Sequence, residues 1–135
     1  RIMKHSTTMI ASDGKLSEPG VNHPHPRSYG TFPRVLGVYA REKKVLGLSE
    51  AIKKMTSMPA DLLGLNDRGR IMEGCIADLV IFDPKKIKDM ATFEEPHQYP
   101  QGIETVIING QICLEDNKLT GAAAGKLITP QTTKP

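Results

Sequence analysis

The chain has 135 residues, of which 39% are hydrophobic, and its 18 basic and 15 acidic side chains leave a formal net charge of +3. The basic residues are scattered, and no stretch approaches the roughly 20 apolar residues of a membrane helix, so we expect neither a nucleic-acid nor a membrane partner. Two Cys are too few for a secreted disulfide scaffold, and the chain starts at Arg1 without an initiator Met. We therefore expect a cytoplasmic protein that is part of a longer polypeptide.

The first predicted element is a short strand at Thr8–Ala11, an apolar run that is closed by Ser12-Asp13-Gly14. A carboxylate at the C-terminal end of a strand is held rigidly and faces the mouth of an α/β barrel. Asp13 is therefore the leading catalytic candidate. The alternative is a simple turn, since Asp and Gly are common turn residues for backbone reasons.

Residues 15–30 form a predicted loop with three Pro and two Gly, and a loop this long inside a compact domain usually serves a function. His23 and His25 are spaced like a metal-binding His-x-His motif, but Pro24 and Pro26 oppose the strand on which such a pair works. We therefore predict that His25 contacts substrate, the alternatives being a role in packing the loop and metal binding by His23 or His25. Arg27 can pair with a substrate carboxylate, the alternative being a surface or capping role.

Three helices are predicted next. The first spans 31–44 with Thr31 as N-cap and a helical apolar face made of Phe32, Val35, Leu36, Tyr39 and Ala40. The second spans 49–55, and the third begins at residue 57 and is stopped by Gly64.

The second half of the chain is rich in β-forming residues. Asp78 precedes a run that predicts a strand buried on both faces. Ile103–Ile108 and Gln111–Leu114 flank Asn109-Gly110, the dipeptide that best tolerates the two positive φ angles of a two-residue hairpin loop. Residues 115–118 predict a second turn, after which the sheet resumes.

Three segments in this order resemble the D-aminoacylases, also called N-acyl-D-amino-acid deacylases, of the amidohydrolase superfamily. They are Met3-Lys-His-Ser-Thr-Thr-Met-Ile-Ala-Ser-Asp-Gly14, His23-Pro-His-Pro-Arg-Ser-Tyr-Gly-Thr-Phe-Pro-Arg-Val-Leu-Gly37 and Met55-Thr-Ser-Met-Pro-Ala60. Residues 69–84, 107–110 and 119–121 resemble less specific C-terminal motifs of the superfamily.

The resemblance implies an α/β fold in which a TIM-type barrel is joined to a small β-sandwich built from both chain ends. Residues 1–68 would be the last barrel strand, the active-site loop 15–30 and the following helices. Residues 69–128 would be the C-terminal share of the sandwich, and residues 129–135 a loose tail.

The resemblance also implies that a zinc-activated water attacks the amide of an N-acyl-D-amino acid. The family's catalytic aspartate falls on Asp13, which is also a possible metal ligand. The main ligands, a His-x-His after the first barrel strand and later Cys and His residues, are not found in this chain. The expected partners are thus the small-molecule substrate and the missing N-terminal part of the same enzyme, and the isolated chain is expected to be inactive.

Two departures from the family's pattern concern the substrate range: Ala11 replaces the usual glycine, and the loop Lys15–Asn22 differs. The alternative enzyme is a dihydroorotase or hydantoinase, which acts on cyclic amides. A different class of alternative is a non-catalytic binding or structural module. An exposed edge such as Ile103–Ile108 would favour self-association.

Overall fold

The computed structural model describes residues 1–128, so the predicted tail at 129–135 lies outside the described residues. The chain divides into two compact units, each built from two segments. The first unit contains residues 1–55 and 83–102, and the second contains residues 56–82 and the described residues from Ile103 onward. The predicted domain boundary near residue 69 refers to the longer enzyme and stays a prediction. Within this chain, residues 83–102 group with the N-terminal segment.

The first unit is helical. After a short 3-10 turn at Ile2–Lys4 it contains α1, Arg27–Arg34, which continues directly into a π-helix at Val35–Glu42, and α2, Leu48–Met55. Among the described residues no helix has the length and apolar character that crossing a membrane requires.

The predicted start of the first helix at Thr31 is wrong. The helix begins four residues earlier, and the Thr31 hydroxyl donates to the Arg27 carbonyl at 2.9 Å, a contact within the helix that leaves no role as a cap. Pro26 stands at the N-cap, where the fixed φ of proline suits a helix start. The loop predicted at 15–30 therefore ends at Pro26.

The buried residues of the first unit include three of the predicted apolar face, Val35, Leu36 and Ala40, together with Ile87. Two glycines allow the backbone to reach Ile87. A Cβ on Gly37 would lie 2.6 Å from the Ile87 carbonyl oxygen, and a Cβ on Gly102 would lie 2.6 Å from the Ile87 nitrogen. The residues around Ile87 are thus packed backbone against backbone, without space for a methyl group.

The second unit holds α3, Ser57–Leu62, and a four-stranded antiparallel sheet. Gly64 follows α3 with φ +68°, as expected of a glycine that ends a helix. The strands lie in the order β1, Leu79–Phe82; β2, Ile103–Ile108; β3, Gln111–Glu115; β4, Lys118–Leu119.

The predicted hairpin is confirmed. Asn109 and Gly110 join β2 to β3 with φ values of 48° and 77°, both in the left-handed region. Asp116 and Asn117 repeat this arrangement between β3 and β4. The Asn109 amide also donates to the Asp78 carboxylate at 2.8 Å, which ties the hairpin loop to the residue before β1.

The prediction that β1 is buried on both faces is wrong. Val80 is 53% exposed and Ile81 is 49% exposed. β1 is an edge strand, hydrogen-bonded only to β2 within the described sheet, and the apolar run was therefore not a sign of a central position.

Candidate active site

The strand predicted at Thr8–Ala11 is absent from the described structure. A strand exists through its ladder of hydrogen bonds to a neighbour, and none of the four described strands pairs with this segment. Its backbone is instead connected to α2, because the Ile10 amide donates to the Lys54 carbonyl at 3.1 Å.

Asp13 lies in an irregular segment and has a positive φ of 48°. Aspartate tolerates this left-handed conformation better than most residues. The Gly14 amide donates to the Ser12 hydroxyl at 3.2 Å, and a Cβ on Gly14 would lie 2.9 Å from the Ser28 Cα. Gly14 therefore lies directly against the first turn of α1, and a glycine is needed for that approach.

The Asp13 carboxylate is open to solvent and paired with one cation. Its Oδ2 lies 2.7 Å from a terminal nitrogen of Arg27, with the side chains 83% and 43% exposed. An ion pair this exposed contributes about 0–1 kcal/mol to stability. The pair leaves most of the carboxylate's surface free to meet another molecule.

His25 is bonded to the backbone of Arg27. Its Nδ1 accepts a hydrogen bond from the Arg27 amide at 3.0 Å, so a neutral ring carries its proton on Nε2. The ring also makes an edge contact with Phe93, with centroids 5.0 Å apart. Arg27 thus contacts both other predicted site residues, Asp13 through its guanidinium and His25 through its backbone.

The His23 ring bonds to the 83–102 segment. Its Nε2 lies 2.6 Å from the Phe93 carbonyl oxygen, a hydrogen bond in which the ring is the donor. Within residues 1–128 no group of three or more His, Cys, Asp or Glu side chains is arranged to hold a metal ion.

His97 joins distant parts of the first unit. Its Nε2 bonds to the Asn22 carbonyl and its Nδ1 to the Tyr29 hydroxyl, both at 3.0 Å. Tyr29 also makes an edge contact with Tyr99, with centroids 5.5 Å apart. No local signal could have shown this, because the partners are about 70 positions away.

The first unit contains a cavity of about 310 Å³ whose lining includes Lys15, two residues after Asp13. The cavity lies between the loop that follows Asp13, the start of α1 and one residue of the 83–102 segment. Its lining residues are Lys15, Leu16, Ser17, Pro19, Ser28, Tyr29 and Tyr99. The loop that departs from the family's pattern therefore forms a wall of a cavity close in sequence to Asp13.

The sequence profile of the amidohydrolase family matches residues 2–114, which is most of the chain. The chain belongs to the amidohydrolase family. The matched range contains Asp13, α1 and the strands β1 and β2.

Three relatives of this amidohydrolase are especially similar. D-aminoacylase of Alcaligenes xylosoxydans xylosoxydans is 44% identical over 128 residues, which are 95% of this chain and 26% of that protein. A solved structure of D-aminoacylase with a binuclear metal centre matches with a TM-score of 0.81 and 47% identity, covering 87% of this chain and 24% of the other. The N-acyl-D-glutamate deacylase of Bordetella bronchiseptica, solved with zinc and a phosphonate that mimics the tetrahedral intermediate, matches with a TM-score of 0.71 and 42% identity over 77% of this chain and 21% of the other.

The chain spans about a quarter of the length of the curated D-aminoacylase it matches. A dihydroorotase of Endomicrobium trichonymphae is 54% identical, but only over 41 residues, or 30% of this chain. The similarity to D-aminoacylase thus covers a much larger share of this chain than this dihydroorotase match does.

Proposed function

We propose that this chain is the C-terminal part of a longer, metal-dependent amidohydrolase that cleaves the amide of N-acyl-D-amino acids. The observation that carries the proposal is the solvent-open Asp13 carboxylate, on a residue with positive φ and paired with Arg27. The similarity to deacylases over 95% of the chain supports this choice of substrate class.

Asp13 can serve as the general base and then as the general acid. It accepts a proton from the water as the new C–O bond forms at the amide carbon, and it gives a proton to the nitrogen as the C–N bond breaks. The products are a carboxylate and a D-amino acid. An exposed carboxylate with a single ion-pair partner has the free oxygen surface that this transfer needs.

Arg27 and His25 are proposed to bind the substrate. A guanidinium has five N–H donors, so Arg27 keeps donors for the substrate's carboxylate while it is paired with Asp13. With Nδ1 occupied by the Arg27 amide, His25 offers Nε2–H as one further donor.

The described residues do not form a metal site by themselves, so Asp13 would be a single carboxylate ligand beside others from outside this chain. We propose that zinc in the longer enzyme is held mainly by residues outside this chain; zinc polarises a carbonyl and activates water when bound. The isolated chain, after dialysis, is expected to hold well under one zinc per molecule by elemental analysis. Stoichiometric zinc would contradict this.

The test is an assay of the longer enzyme that contains this sequence, on N-acetyl-D-amino acids, their L enantiomers, and the cyclic amides dihydroorotate and hydantoin. We expect turnover of the N-acetyl-D-amino acids and little turnover of their L enantiomers or of the cyclic amides. Preference for a cyclic amide would favour the alternative enzyme class. A soluble monomer with one cooperative melt and no activity in any longer form would favour the binding-module alternative.

A further inference from the structure

Lys54 is unusual in the first unit because it is a charged residue with almost no exposure. The residue is 1% exposed, among the largest fully buried side chains of the described residues. Lysine is almost never buried without partners, since removing an ammonium from water is costly. A lysine in this position therefore needs hydrogen-bond partners that compensate for the loss of water.

The partners of Lys54 are backbone carbonyls of the segment before Asp13. Its Nζ donates to the His5 oxygen at 2.6 Å and to the Thr8 oxygen at 3.0 Å. The Glu50 carboxylate on the same helix is further away, at 3.9 Å. The ammonium is thus occupied mainly by the N-terminal segment and not by a neighbour on α2.

The backbone of Lys54 holds the same segment from a second point, because its carbonyl accepts the Ile10 amide at 3.1 Å. One residue of α2 therefore makes three hydrogen bonds to residues 5–10. The segment has no strand partner among the described residues, so these bonds replace the ladder that would otherwise fix it. Asp13 follows Ile10 by three residues.

We infer that Lys54 is a positioning residue, which fixes the segment 5–10 on α2 and thereby sets the position of the Asp13 carboxylate. It is not a reacting group, because its nitrogen is buried and donates to carbonyl oxygens. The inference rests on the proposed role of Asp13 as the base. Small errors in position matter there, since a displacement of about 1 Å can cost about 100-fold in rate.

The test uses the longer enzyme with Lys54→Met, which keeps most of the side chain's volume and removes the ammonium. We expect kcat to fall about 10- to 100-fold while KM and zinc content stay within about twofold of wild type. The matched control is Lys53→Met on the same helix, where the side chain is exposed and kcat should stay unchanged.

Lys54→Gln separates positioning from stability, because its amide can still donate to a carbonyl. Its kcat should lie between those of wild type and Lys54→Met. If Lys54→Met yields no folded enzyme, the Gln variant decides: a lower melting temperature with wild-type kcat would overturn the inference. Wild-type kcat in a folded Lys54→Met would overturn it as well.

Asp13→Asn, measured in parallel, distinguishes the two proposals. If Asp13→Asn abolishes turnover and Lys54→Met does not affect it, only the positioning role of Lys54 fails. If Asp13→Asn is itself active, the proposed function of Asp13 fails, whatever Lys54 does.

Discussion

The Asn109 turn of the second unit and the Asp13 segment of the first each contain a residue with φ at 48°, but they have different supports. The Asn109 turn is closed by the ladder between two strands that are adjacent in sequence. The Asp13 segment has no ladder among the described strands; Asp13 is paired with Arg27 on α1 and follows residues that are bonded to Lys54 on α2. The comparison teaches that a hairpin turn can be built locally, whereas the segment with the candidate catalytic residue depends on partners further along the chain.

Gly102→Ala should have the largest effect on stability. A Cβ there would lie within 2.8 Å of the backbone of Lys86 and Ile87, and the residue has φ +83°. We expect the free energy of unfolding to fall by about 2–4 kcal/mol, measured as the midpoint of urea unfolding. Gly125→Ala is the matched control: its Cβ would meet nothing within 4 Å, so its midpoint should not change.

Gly110→Ala should cost less, about 1–2 kcal/mol, because only the left-handed conformation opposes it and its Cβ would meet nothing within 4 Å. Gly110→Asn should cost less than Gly110→Ala, since asparagine tolerates this region. Thermal melts of both variants check the order. If Gly110→Ala were as harmful as Gly102→Ala, local closure would not explain the hairpin.

Arg27→Gln should lower the free energy of unfolding by less than about 1 kcal/mol, because both partners of the ion pair are exposed. The same urea experiment measures it. A loss above about 2 kcal/mol would show that the ion pair, and not the packing of Gly14 on Ser28, holds the Asp13 segment in place.

The smallest effect concerns Asp83. Its pKa is lowered, chiefly because the Lys85 amide donates to its carboxylate at 2.7 Å and then because of Lys86. The folded pKa is below the unfolded value, so the stabilisation is present above the unfolded pKa and is lost as the pH falls through the folded pKa. Asp83→Asn should therefore lower the free energy of unfolding slightly near neutral pH. It should also make the free energy of unfolding fall less steeply below about pH 4, which thermal melts at a series of pH values can measure.

The sequence predicted those parts of the fold that depend on neighbours in the chain. Asn109-Gly110 and Gly64 are examples, because the backbone angles they favour are set at one or two residues. It did not predict that the helix starts after Pro26, since no side-chain cap marks this start. The exposure of β1 was missed because an apolar run does not say which strands will lie beside it.

The candidate site was predicted in part. Asp13, His25 and Arg27 are close in sequence, and the structure brings them together. Lys54 and His97 were missed because their partners lie more than 40 positions away, and hydrophobic periodicity gives no sign of a buried lysine. Long-range polar contacts of this kind depend on the tertiary fold.

The kcat of Asp13→Asn in the longer enzyme tests the central claim most directly, because asparagine keeps the side chain's shape and tolerates the positive φ but cannot accept the proton. The account predicts that kcat falls by about 10² to 10⁴ while KM, zinc content and fold stay intact. A variant that kept more than roughly a tenth of wild-type kcat under those conditions would make Asp13 a turn residue and contradict the account.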